Sequence, residues 1–399
     1  MALRIPSMWL LLFCLKGWGQ VSDFRFVTYG LREGLSQSMV KRILQDKRGF
    51  MWFATQDGLN SFDGKNFKAF RQGELPNEMP WGNIEDMIED FDGNILWLAT
   101  AERGLTAFDY LSETFHKVPS GNDQGLLSEK TSVVRQTRKH IWVGTSKGLS
   151  VINKVSGQIA KHLLKGEAIT AMAMADMDVV VAFSPEGNLW IIDAATLVIT
   201  NIIKSSALFG AISDFEVFSV FFDNTGKLWI NTRKGVYSSS SLLHLQKKQL
   251  NKEILITKKG RNLSNEVVFN SFIDSKNNQW IGIDSIGLLY RRIGEVQFDL
   301  ISKNPVNRYT IDNYFWHFYE DKEGIIWIGT DNGVSRQIYK YPFFTTIGEE
   351  TDLPENRLYR VFSICAIDDT TFIYGRRGDA FVYNRKTKVI KQVINAGKE

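Results

Sequence analysis

Short apolar runs alternate with polar turns along this chain, and the first cycle predicts four strands within about 45 residues. Residues 39–45, Met-Val-Lys-Arg-Ile-Leu-Gln, form an apolar-rich run that stops at Asp46-Lys-Arg-Gly49. That tetrapeptide is turn chemistry, because aspartate accepts bonds from backbone amides ahead of it and glycine tolerates positive φ. Residues 50–55, Phe-Met-Trp-Phe-Ala-Thr, read as a fully buried strand, and Gln56-Asp-Gly58 turns the chain back. Residues 59–62 make a third strand, Asp63-Gly64 a two-residue hairpin turn, and residues 66–70 alternate as a half-exposed outer strand.

The cycle then repeats. Trp52, Trp97, Trp142, Trp190, Trp229, Trp280 and Trp327 each sit in a near-copy of the same phrase, separated by 45, 45, 48, 39, 51 and 47 residues. The phrase runs aspartate, turn, glycine, an apolar residue, tryptophan, an apolar residue, a Gly/Ala-Thr pair and a second turn. Four antiparallel strands at this pitch define one blade of a β-propeller. The fold expected is therefore all-β, with each tryptophan on the second strand of its blade, packed between neighbours. Ala54 and its counterparts Gly144, Gly282 and Gly329 leave room for the facing blade. The copy at Trp190 is the most eroded, with residues 172–182 replacing the usual opening.

An eighth copy lacks the tryptophan: residues 361–368, 372–375 and 389–394 read as its inner, second and outer strands. Residues 24–29, Phe-Arg-Phe-Val-Thr-Tyr, resemble an outer strand without a blade, and with the eighth unit already complete this strand reads as surplus. The expected division is a seven-bladed propeller over 20–346 and a unit over 347–399 that begins a second, truncated propeller. A closed eight-bladed ring is the alternative.

Charge is nearly balanced, 48 basic against 44 acidic residues, without a basic stripe, so nucleic acid is not an expected partner. Residues 1–19 join a short positive start to an apolar run too brief to span a bilayer, with Gly17 and Gly19 as small residues for cleavage. They read as a secretory signal peptide, so the mature chain is expected to be exported. Removing them leaves Cys365 as the one cysteine, so no internal disulfide is expected. No later segment holds 18 uninterrupted apolar residues, and no transmembrane helix is expected.

The wording of residues 34–64, from Gly34-Leu-Ser-Gln-Ser to Phe62-Asp-Gly64, and its recurrence at 262–274 and around Trp327, resemble the two-component-regulator propeller repeat. The resemblance covers almost the whole mature chain. It implies the periplasmic sensor region of a hybrid two-component system of the kind found in gut Bacteroidetes. In such systems two seven-bladed propellers precede a β-sandwich, a membrane helix, a histidine kinase, receiver domains and a DNA-binding output. It also implies an oligosaccharide or other small periplasmic ligand, and as partners the remainder of a sensor kinase or a second copy. This chain carries no kinase, so by itself it would bind rather than signal.

No P-loop, Rossmann glycine pattern, His-Glu-x-x-His or Gly-x-Ser-x-Gly motif is present, and no cofactor or metal is expected. His317, on the inner strand of the seventh unit, faces the channel, as do Arg42, Glu85 and Asp86. A channel histidine beside a carboxylate would suit a lyase or hydrolase, but pseudosymmetry brings such groups to the axis anyway. A protein-binding scaffold is the other alternative. Sugar recognition calls for aromatic faces and planar polar groups on the loops entering each inner strand and on those following each tryptophan strand. The entry loops offer Trp81, Tyr309, Tyr314 and Trp316; the second loops offer Gln56, Arg103, Lys147, Arg233, Lys234 and Asp331. The candidate ligand-binding set is Trp81, Arg103, Lys147, Arg233, Tyr314, Trp316, His317 and Asp331.

Overall fold

The computed structural model describes residues 25–301 (except 74, 76, 122 and 123), 314–338, 363–376, 379–384, 387 and 389–395. The signal peptide, Tyr309 and the boundary at 346 lie outside these residues. The chain divides into two compact units, residues 1–339 and 340–399.

In the first unit the described strands form seven four-stranded antiparallel sheets. Blade 1 comprises Val40–Gln45, Met51–Thr55, Gly58–Phe62 and Phe67–Phe70, the four strands expected from the pattern. Its second strand is wholly buried, whereas the outer strand turns Lys68 and Ala69 to solvent.

The turn aspartate does more than shape the turn. In blade 1, Oδ1 of Asp46 accepts the amides of Arg48 and Phe50, at 2.9 and 3.0 Å. Its Oδ2 accepts the indole N–H of Trp52 at 3.0 Å. The same indole bond joins Trp97 to Asp90, Trp229 to Asp223, Trp280 to Asp274 and Trp327 to Asp321, at 2.7–2.9 Å. One side chain thus satisfies the turn and the buried end of the ring that the turn precedes. Blade 3 has Thr137 where the aspartate would stand, and there the indole N–H of the fully buried Trp142 has no partner.

Trp190 departs from the expectation. It lies on the third strand of blade 4, Leu189–Asp193, opposite Ala182 of the second strand, Val179–Phe183. Blade 4 opens with Ala171–Ala175 and a tight turn in which Asp176 and Met177 both adopt positive φ, so no Asp-x-x-Gly turn precedes its second strand. Trp190 still fills the space between blades 3 and 4, packed with Trp142, Leu149 and Ile169. The other six tryptophans occupy second strands. Trp97 alone among the seven is only half-buried.

The N-terminal strand is not surplus. Arg25–Tyr29 pairs antiparallel with Gly333–Ile338, from Arg25 opposite Ile338 to Tyr29 opposite Val334, and is the fourth strand of blade 7. Among the described residues blade 7 has three strands of its own, and Arg25–Tyr29 completes it. Phe26 is fully buried in a cluster with Trp280, Phe315 and Ile328 between blades 6 and 7. The ring also closes directly from blade 7 to blade 1. Gly329 lies against the backbone of Val40, where a side chain would collide, and Gly282 is likewise filled by Phe315 of the next blade. Lys322 donates its ammonium to the carbonyls of Asp46 and Lys47, at 2.8 and 3.1 Å. Seven blades therefore complete the circle without an eighth.

The second unit holds one antiparallel sheet, Ser363–Ala366, Thr371–Arg376, Asp379–Asn384 and Val389–Asn395. Among the described residues Tyr374 and Tyr383 are its buried side chains.

Two substitutions test this packing. Phe26→Ala should destabilise the fold by about 3–5 kcal/mol, as large-to-small core changes do; a loss below about 1 kcal/mol in urea unfolding would show that this strand does not close the ring. Thr137→Asp should raise stability by about 1 kcal/mol, by giving the Trp142 indole an acceptor. Unchanged or lower stability would show that the carboxylate does not reach it.

Candidate functional site

The Gly/Ala-Thr pair of the repeat builds the rim. In blades 1, 2, 3, 5 and 7 the threonine hydroxyl donates to the glycine carbonyl at the far side of the turn, at 2.8–2.9 Å, and accepts a turn amide. Arg103, Lys147 and Lys234 are presented by turns of this kind. On the inner strands the register slips near the start in blades 1, 2, 3, 5 and 7. The extra residue at each slip is Lys41, Glu85, Ser132, Phe218 and Trp316. A bulge re-aims its side chain, and here it sets these residues around the mouth of the channel.

Around that mouth the structure brings together three rings from consecutive blades. Phe218 of blade 5 lies 4.7 Å from Phe269, and Phe269 stacks on Trp316 of blade 7 at 5.1 Å between centroids. All three are half-buried, so each keeps exposed ring surface. The Trp316 indole donates to Oδ1 of Asp331 at 2.5 Å, which fixes the ring. Arg233 lies over Phe218, 5.5 Å from its centroid, and is held by Glu216. Tyr314 is exposed, and its hydroxyl accepts from Ser285 at 3.2 Å. Nearby, the carboxyl of Asp284 is pushed up by burial and by the charge of Asp331. Of the expected residues, Arg233, Tyr314, Trp316 and Asp331 thus converge.

The others lie apart. Trp81 is half-buried on the entry to blade 2, with the Arg103 guanidinium 5.5 Å from its ring and its indole N–H buried without a partner. Lys147 stands on the turn of blade 3 and makes no ion pair among the described residues. Phe218 and Phe269 were not singled out from the sequence. Aligning Phe218-Ser219 with Trp316-His317, each pair straddling the same slip, is the signal that would have found the first.

Below the mouth, charged side chains cross the channel. Both oxygens of the buried Asp86 are taken: Oδ1 by Arg42 Nε at 2.8 Å, and Oδ2 by Arg135 Nη1 at 2.6 Å. The amides of Met87 and Val134, each at 3.0 Å, complete its coordination. Although burial alone would raise it, the two guanidinium charges bring the Asp86 carboxyl down to about 2. His317 accepts the Ile43 amide on Nδ1 at 3.2 Å, which puts its proton on Nε2. Burial, reinforced by Arg42 and Arg135, lowers it to about 3. At neutral pH this histidine is uncharged and this carboxylate is fully committed, so neither is poised as general acid or base. Among the described residues no group of three or more His, Cys, Asp or Glu could hold a metal ion. No helix among them is long and apolar enough to cross a membrane.

Comparison with known proteins agrees with this architecture. The family model described as two component regulator propeller matches residues 34–57 and 311–332, so these two stretches are similar to that repeat. A curated histidine kinase P4 of Formosa agariphila is 52% identical over 52 residues, 13% of this chain and 4% of that protein. The extracellular domain of the putative hybrid two component system BT3049 from B. thetaiotaomicron is similar at 21% identity and TM-score 0.66, over 94% of this chain and 49% of that one. The extracellular domain of the putative one component system BT4673 from the same organism aligns at 18% identity and TM-score 0.63, over 92% and 47%. The chain spans about half the length of these solved relatives, whose likeness shows the propeller fold.

The depressed histidine has a measurable consequence. Because the folded value of His317, about 3, lies below its ordinary 6.5, the unfolded chain binds a proton in that interval that the folded chain does not. Its stabilisation is therefore complete above pH 6.5 and is lost as pH falls toward 3. Asp86 acts in the same direction lower down, between 3.8 and about 2. Urea unfolding from pH 8 to about 3 should show a shallower loss of stability in His317→Gln than in the wild type. Equal slopes would mean that the histidine takes up its proton within the fold.

Proposed function

We propose that this propeller is the periplasmic ligand-sensing module of a two-component signalling receptor, and that it binds an oligosaccharide without turning it over. The supporting observation is the ladder Phe218–Phe269–Trp316 at the channel mouth. Sugar rings expose C–H faces that pack on aromatic planes, while their hydroxyls need planar polar partners in fixed positions. Arg233, Asp331, Tyr314 and Ser285 border the ladder and supply such partners. Trp81 with Arg103 offers a second aromatic face toward blade 2. The neutral His317 and saturated Asp86 favour recognition over chemistry.

The kinase would be supplied by the remainder of the receptor, because the proteins this chain resembles are named as histidine kinase and hybrid two component system. Ligand occupancy would then reach the kinase through the ring of blades.

Calorimetry against neutral and acidic glycan fragments, with the sugars recovered and sized afterwards, checks this reading. Trp316→Ala combined with Phe269→Ala should weaken binding about tenfold or more, as for buried aromatic anchors, and the recovered sugars should keep their length. Undiminished affinity in the double variant would refute the placement, and shortened sugars would refute binding without turnover.

A further inference from the structure

The charged layer beneath the mouth is not balanced. Arg42 and Arg135 share one carboxylate, Asp86, whose four acceptor positions are already filled. The inner strands of blades 4, 5 and 6 (Ala171–Ala175, Val217–Phe222 and Ser271–Ile273) carry no ionisable side chain. Blade 7 contributes His317, uncharged and itself disfavoured as a cation by the two arginines. At the mouth, Lys41 and Glu85 neutralise each other at 2.6 Å. In the cluster of Arg42, Arg135, Asp86 and His317 two guanidinium charges thus face one carboxylate, the remaining inner-strand acids, Glu89 and Glu320, being engaged with Lys47 and Tyr110 and with Ser275. In a low-dielectric interior an uncompensated ion is costly.

The donors point the same way. Arg42 spends Nε on Asp86 and Nη1 on the carbonyl of Lys41. Arg135 spends Nε on the carbonyl of Met172 and Nη1 on Asp86 and the carbonyl of Val134. Neither Nη2 has a hydrogen-bond partner among the described residues, and neither is sealed from solvent, the two side chains being 20% and 28% exposed. Two guanidinium groups bound to opposite oxygens of one carboxylate therefore keep N–H donors unspent on side chains that are partly open to solvent. Paired guanidinium donors are the usual recognition element for planar or tetrahedral oxyanions.

We propose that the channel binds an oxyanion (carboxylate, sulfate or phosphate) between Arg42 and Arg135. Its source is either the acidic group of a sugar seated at the mouth or a free inorganic anion. The site stands without the sugar reading; only the first source rests on it. With an acidic sugar, the aromatic ladder would hold the ring and the arginines its charge, so that the module would select a uronate or sulfated end.

The test is calorimetry of the secreted chain with sodium sulfate, glucuronate and glucose at matched ionic strength. Sulfate should bind with one-to-one stoichiometry. Arg135→Gln and the charge-retaining Arg42→Lys should each weaken it about tenfold or more, the loss expected for a charge-assisted fork. Lys65→Gln, on an exposed outer hairpin, should leave it unchanged. Glucuronate binding about tenfold tighter than glucose identifies the sugar's own acid as the source, and equal affinities identify the free anion. Absence of sulfate binding to the wild type, or undiminished binding in the Arg42→Lys variant, overturns the site. A melting profile of each variant confirms that it is folded, and the wild-type measurement decides the question even if Arg135→Gln is not.

Discussion

Each blade depends on how a large aromatic ring with one polar atom can be buried between two sheets. The repeat solves this with a single carboxylate: one oxygen gathers the amides of the turn and the other takes the indole N–H. Turn and ring are then fixed by the same group, so the height of the tryptophan in the blade follows from the turn six or seven residues earlier. Blade 3 separates the two contributions. With Thr137 in the turn, the Trp142 indole loses its acceptor, yet the ring stays fully buried. Burying such a ring contributes about 3–5 kcal/mol against about 1 for the bond, so packing places the ring and the bond only refines it.

The same comparison explains what the sequence made legible. Strands, turns and blade pitch are local and were readable from apolar runs and glycine positions. Trp190 misled because the residue type recurs while its strand does not: the turn at Asp176 and Met177 shortens the opening of blade 4 and moves the tryptophan to the third strand. The role of Arg25–Tyr29 was hidden for another reason. Its partner lies at the other end of the ring, and nothing in either strand encodes the pairing except an alternation that suits many partners. At the site, Trp316 and Asp331 were visible from their positions in the repeat, whereas Phe218 depends on a bulge and Phe269 on a loop position before its strand, which no single strand reveals.

Mouth and channel use opposite physics within a short depth. The mouth keeps apolar rings half exposed and pairs Lys41 with Glu85 and Arg233 with Glu216, an arrangement suited to neutral contact surface with selective polar edges. The channel concentrates charge around one buried aspartate and holds its histidine neutral. Both follow from symmetry: seven inner strands converge on one axis, so a substitution on any of them is read beside six others.

The closing strand also sets an order of events. Arg25–Tyr29 leaves the ribosome before any blade exists, and its partner Gly333–Ile338 is made some three hundred residues later, as the Thr28–Ser335 hydroxyl pair shows with a separation of 307. Until then blade 7 has an open edge, and the first strand has unpaired backbone of its own. The ladder that makes the ring whole therefore cannot form until its last partner strand has been made. It closes a longer loop than the hairpin ladders within the blades, and so carries the larger closure entropy.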